Sequence, residues 1–226
     1  MTLEIRSLVE RPEFRSDSGK LVAAGVAMRY GAKSKPIKGQ FREVFRPGAF
    51  TRTINAQDAA HQDVQAHNEH DGPYLARSGA GSLRLLDSRS ELAYEIDLPD
   101  TSAGRDAAVL LERGDIKGSS IGFRAIPKQV TWTVDDDGLA LRSISAAKLV
   151  RVDLTTQPYY PDSTAEMAFR SLAEQTGREL RSLLEAAERG ELPTLIVPIE
   201  DDELDRRSDD DDGEDPSVVY RRASAY

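Results

Sequence analysis

From Leu3 to Thr155 the chain is written in short runs rich in β-branched, aromatic or alternating apolar residues, each closed by Gly, Pro, Ser or Asp. A chain punctuated this way buries its apolar side chains one sheet face at a time, so a mostly β body is predicted up to about Pro161. The clearest run is Glu91–Leu98, where Leu92, Tyr94, Ile96 and Leu98 alternate with Ala93, Glu95 and Asp97. Strands are also predicted at Leu3–Ile5, Leu21–Tyr30, Val64–His67, Ser82–Leu86, Ile116–Ile126, Val130–Val134, Leu139–Ile144 and Lys148–Thr155. The Asp135-Asp136-Asp137-Gly138 turn between two of these reads as a hairpin. Pro47 can open a short helix running through Phe50 and Ile54.

Two further helical patterns stand out. Thr101 or Ser102 can cap a helix over Arg105–Arg113, with Ala107, Ala108, Leu110 and Leu111 on its apolar face and Gly114 as its stop. After Pro161, Met167, Leu172, Leu180, Leu183, Leu184 and Ala187 are spaced for helix between Ser163 and Arg189, with a break at Gly177. Beyond Pro198 too little apolar surface remains to offset chain entropy, and a disordered acidic tail is expected. The organisation read from sequence is a body at 1–161, a helical segment at 162–198 and a tail at 199–226.

Charge supports that division. Of 39 acidic and 30 basic residues, 11 and 2 fall between Glu200 and Asp215, leaving 28 of each sign elsewhere. The net charge of −9 therefore belongs to the tail, and the balanced remainder lacks the basic stripe that binding to nucleic acid requires. No run approaches the roughly 18 apolar residues of a membrane span. No secretory signal is visible at the N-terminus, and the absence of cysteine excludes a disulfide framework, a thiolate metal site and a cysteine nucleophile. A soluble intracellular protein without cofactor is expected.

Three segments could carry chemistry. Gly118-Ser119-Ser120-Ile121-Gly122 spells G-x-S-x-G, but a nucleophile elbow needs a helix after the serine. Here Phe123-Arg124-Ala125-Ile126-Pro127 follows, and all three histidines, His61, His67 and His70, precede the serine rather than follow it. An esterase of the α/β-hydrolase type is disfavoured, and a tight turn between strands is the plain alternative. The second segment, His67-Asn68-Glu69-His70-Asp71, could supply a base for a serine hydroxyl. It could also offer metal ligands through His67, His70 and Glu69 or Asp71, although no third convergent ligand is evident, or it could be ordinary surface histidine. In the third, Arg151 and Asp153 share one face of a strand whose other face carries Val150, Val152 and Leu154. Asp153 could orient a histidine, or the two could form a solvated ion pair.

In this order the segments resemble the prohead proteases of tailed phages. The likeness runs over roughly residues 20 to 165. It rests on Gly25-Val26-Ala27, Phe45-Arg46-Pro47-Gly48-Ala49-Phe50, His70-Asp71, the run from Gly114 to Phe123, and Val152–Pro158. The resemblance implies Ser120 as nucleophile, because the matched serine precedes the aliphatic-Gly-Phe, and His70 as base, because His-Asp is the matched pair. Relatives often read Glu-Val-Ser where this chain has Arg151-Val152-Asp153. The third member is taken as Asp153, against a shifted register or a dyad. The resemblance also implies an α+β fold like that of the herpesvirus assembly proteases: a closed or nearly closed, mainly antiparallel β-barrel ringed by helices and often dimeric. It implies a serine endopeptidase that cuts scaffolding protein, major capsid protein and itself within the procapsid, in the host cytoplasm. The altered Arg151/Asp153 strand keeps open a non-enzymatic assembly factor on the same fold.

Overall fold

The computed structural model describes residues 3–17, 19–55, 63–157 and 163–196. Among the described residues, twelve strands are distributed over three sheets. The first sheet has the order β1-β9-β12-β5-β6, formed by Glu4–Leu8, Gly118–Ala125, Ala147–Thr155, Gln65–Asn68 and Tyr74–Arg77. The second, β2-β3-β8-β7, is formed by Glu13–Asp17, Lys20–Arg29, Glu91–Asp97 and Leu83–Asp87. The third, β10-β11-β4, is formed by Val130–Val134, Ala140–Ile144 and Phe41–Phe45. Helices are α1 (Thr51–Ile54), α2 (Ser102–Arg113), α3 (Ser163–Thr176), α4 (Leu180–Glu188) and α5 (Leu192–Ile196).

The expected closed barrel is corrected by this arrangement. Among the described residues the three sheets are open, ending on β1 and β6, on β10 and β4, and on β2 and β7. The pairing is mainly antiparallel, as expected, with two exceptions: β4 pairs parallel with β11 and β5 parallel with β12. Alternation tells which residues face a core but not which distant strand lies alongside, and parallel partners are joined only by long crossovers. The predicted acidic tail lies outside the described residues.

The main core lies between the first two sheets. It gathers Ile121 and Phe123 of β9, Val152 and Leu154 of β12, Leu92, Tyr94 and Ile96 of β8, and Ala107 and Leu111 of α2. Helix α2 follows its sequence signals: the Thr101 side chain accepts from Gly104 N, and Gly114 ends the helix at φ 80°. The apolar stripe of α3 and α4 covers the third sheet, where Phe169 packs on Phe41 and Trp132 at centroid distances of 5.4 and 6.3 Å.

A buried ionic joint links the first and third sheets. Arg6 of β1 donates from Nε and Nη2 to the two carboxylate oxygens of Glu43 on β4, at 2.7 and 2.9 Å. Arg142 of β11 donates to Glu4 of β1 at 2.6 and 2.9 Å and to Glu43 at 2.8 Å. All four side chains are buried. Burial alone would push the Glu43 carboxyl up, but the charges of Arg6 and then Arg142, with their hydrogen bonds, hold it below the usual carboxylate range.

Candidate active site

Register assembles the site. Ser7 of β1 pairs with Ser120 of β9, Ser120 with Asp153 of β12, Asp153 with His67 of β5, and His67 with Tyr74 of β6. Directly paired residues project to the same face of a sheet. Five strands thus place one row of polar and aromatic side chains side by side. Neighbouring residues on β9 point the other way. The Ser119 hydroxyl meets the Tyr94 hydroxyl at 2.6 Å in the core, and burial pushes the Tyr94 hydroxyl up and keeps it neutral. Period-two geometry therefore separates the two serines, giving Ser120 to the site and Ser119 to the core.

His70 lies just past β5, in the turn that leads to β6. Its Nδ1 is 3.1 Å from Asp153 Oδ2, and Ser120 Oγ lies 3.2 Å from Nδ1 and 3.5 Å from Nε2. A neutral ring with its proton on Nδ1 can donate to Asp153 while Nε2 accepts from the Ser120 hydroxyl. Catalytic hydrogen bonds at unliganded sites are often long in this way and tighten on binding. His67 reaches the other oxygen of the same carboxylate, Nδ1 to Oδ1 at 3.3 Å, with the Tyr74 ring edge-on at 6.0 Å. The His67 contact was not legible in the sequence, because it depends on the parallel β5–β12 register.

Arg151 completes the group. Its Nε is 3.0 Å from Asp153 Oδ2, a close ion contact whose N–H is not aligned as a hydrogen bond. The Arg151 stem crosses Gly122: a Cβ there would sit 2.8 Å from Arg151 Cγ, so the last glycine of the serine motif makes room for the arginine. The sheet-face prediction held for Arg151, Val152 and Asp153 but not for Val150. A bulge between Leu149 and Arg151 leaves Val150 half-buried and turns Leu149 into the core. Thr53 of α1 accepts from Leu149 N at 3.1 Å at that bulge.

The Phe-Arg-Pro-Gly-Ala-Phe segment supports the serine strand rather than touching the site. Phe45 and Phe50 pack edge-on against Phe123 at 5.1 and 6.3 Å, and Ala49 O accepts from Ala147 N at 2.8 Å. Gly25 of the early Gly-Val-Ala faces the Tyr94 hydroxyl, which would be 2.8 Å from a Cβ. These packing roles account for the residues that carried the sequence resemblance.

That resemblance has a direct counterpart in comparison. The caudovirus prohead serine protease family matches residues 7–178. The chain belongs to that family. Family membership thus joins the serine motif, the His-Asp pair and the helix α3 in one matched unit. Among solved structures the chain is similar to the bacteriophage T4 capsid assembly protease, at 12% identity and a TM-score of 0.45, over 68% of this chain and 96% of that one. No curated protein matches the chain.

No cluster of three or more His, Cys, Asp or Glu suited to a metal ion occurs among the described residues, so His67 and His70 meet on Asp153 without a ligand set around them. His61 lies outside the described residues. No helix among the described residues is long and apolar enough to cross a membrane.

Proposed function

We propose that the chain is a serine endopeptidase in which Ser120 is the nucleophile, His70 the base and Asp153 the acid that orients the base. The observation that carries this reading is the meeting of three side chains from separate elements, with His70 Nδ1 3.1 Å from Asp153 Oδ2 and Ser120 Oγ within 3.5 Å of Nε2, on strands whose register pairs Ser120 with Asp153. In the proposed step, Ser120 Oγ attacks a peptide carbonyl as His70 Nε2 takes its proton. The Asp153 carboxylate holds the Nδ1 proton and stabilises the imidazolium. The proton then passes to the leaving amine, and water releases the acyl group by the same route in reverse.

The developing oxyanion needs a donor already in position. Backbone N–H groups of Gly118–Ile121 are poorly placed for this, because β9 is paired on both edges and its backbone donors serve the two ladders. Arg151, on the same face as Ser120, is the proposed source of positive charge. Ser120 has no exposed surface, while the His70 and Arg151 side chains keep 17% and 15%. A peptide therefore gains the hydroxyl only when a side chain of this group shifts.

Family membership supports the substrate class: scaffolding protein and the major capsid protein, with cleavage of the chain itself, inside an assembling shell. Homodimerisation and a location in the procapsid within the host cytoplasm belong to the same proposal. The buried Ser120 and the Arg151–Asp153 contact favour one rival, an assembly factor that keeps the fold without the activity. A fluorophosphonate probe distinguishes the two. Phosphonylation is expected at Ser120 in peptide mapping, absent in Ser120→Ala and strongly reduced in His70→Ala. Modification at Ser119 in a folded protein would overturn the assignment.

A further inference from the structure

We infer that Glu69 is a positioning residue for His70, a clamp that fixes the histidine turn to the strand bearing Asp153; this rests on His70 and Ser120 being base and nucleophile. Glu69 has φ 66°, one of two non-glycine residues with positive φ among those described. A side chain held in that region is strained, and such strain persists only where surrounding contacts impose it. Here the contacts are explicit, and all three go to β12 or the residue after it. Glu69 N donates to Leu154 O at 2.8 Å, Thr156 N donates to Glu69 Oε1 at 2.7 Å, and Thr155 Oγ1 donates to Glu69 Oε2 at 3.1 Å.

The geometry shows why the clamp lies at this position. Leu154 directly follows Asp153, and Glu69 directly precedes His70, so backbone and side chain together tie acid and base at adjacent residues. Thr155, fully buried, also binds the start of the serine strand, accepting at its carbonyl from Lys117 N at 3.0 Å. One residue thus connects the segments that carry His70, Asp153 and Ser120. The left-handed turn at Glu69 redirects the chain out of the β5 ladder. His70 can then turn its ring back over the row instead of continuing along it. Without the carboxylate, the Asn68–Pro73 turn keeps its own backbone bonds, Asn68 N to Pro73 O at 3.0 Å and Gly72 N to Glu69 O at 3.3 Å. The fold of the turn therefore survives with the Glu69 N–Leu154 O bond, and what is lost is the side-chain part of its registration on β12.

Three variants of the full chain test this. Glu69→Gly removes the clamp and the φ strain together, so a loss of rate cannot come from backbone strain. Glu69→Ala removes the clamp alone, and Glu69→Gln keeps an acceptor for Thr156 N. With a substrate cut by the wild type, kcat is expected to fall about 10- to 100-fold in Glu69→Gly and Glu69→Ala, the scale of a misplacement of about 1 Å. KM should stay within about threefold, and Glu69→Gln should recover most of kcat. Imidazole 15N and NH signals of His70 give a readout independent of cleavage. The Nδ1–H resonance hydrogen-bonded to Asp153 should be lost or broadened in Glu69→Gly, with the melting transition intact. An unchanged His70 signal, or a rate loss matched by the fraction unfolded, would overturn the inference. A wild type that cuts nothing would remove the protease reading, while the His70 signal would still decide the clamp.

Discussion

At the scale of single residues, the site depends on which way a side chain leaves its strand. Ser119 and Ser120 are chemically identical neighbours, and the two faces of β9 give them different work. Ser119→Ala should leave cleavage in place but strand the buried Tyr94 hydroxyl, costing about 1–3 kcal/mol by denaturant unfolding. Unaltered stability together with lost cleavage would reverse the two roles. Gly122 makes a second test. Its missing Cβ is filled by Arg151, so Gly122→Ala must displace the arginine stem from its place beside Asp153. Cleavage is expected to fall at least tenfold, with a smaller change in melting temperature. Wild-type rates in this variant would remove Arg151 from the account of the oxyanion.

At the scale of elements, the buried joint of β1, β4 and β11 is where one substitution should cost most. Arg142→Met leaves Glu4 and Glu43 buried with Arg6 alone between them, and a loss of about 3–5 kcal/mol is expected on equilibrium unfolding. The same joint makes a pH prediction. The folded Glu43 carboxyl lies below the ordinary value of about 4.3, so its share of stability is fully present above that pH. That share is lost as pH falls through the lower folded value. Urea midpoints of the wild type should therefore drop more steeply below about pH 4.3 than those of Glu43→Gln, and parallel slopes would contradict this.

The same joint shows what the sequence could and could not reveal. Period two predicts Glu91–Leu98, which buries one face, while β-forming residues between turn signals mark Val130–Val134, Leu139–Ile144 and Lys148–Thr155 to within a few residues. Strand β4 escaped notice because its alternating positions hold Phe41, Glu43 and Phe45, and a buried glutamate reads as a solvated one until its arginines are known. Strand β6 was hidden by its length, four residues after Gly72-Pro73. For the site, Ser120, His70 and Asp153 were chosen through family resemblance. Their meeting depends on β12 lying between β9 and β5, a long-range pairing that local pattern does not encode.

At the scale of the molecule, α3–α5 share a core with the third sheet, and the family match continues to residue 178, into and past α3. We propose that body and helices fold together across the change of sequence texture near residue 161. Phe169→Ala should cost about 3–5 kcal/mol, as expected for an emptied aromatic site. A chain ended at residue 162 should melt at lower temperature and expose the Phe41–Trp132 surface. Retention of the full melting temperature by the shortened chain would show that the body stands alone.

The central claim is that Ser120, activated by His70 on Asp153, cuts the proteins of an assembling shell. It is tested most directly by co-expression with the neighbouring scaffold and capsid proteins, comparing intact masses for the wild type and Ser120→Ala. Defined truncations that vanish in Ser120→Ala are the predicted result. Identical masses in both, with shells still forming, would contradict the claim and assign the chain a role in assembly without cleavage.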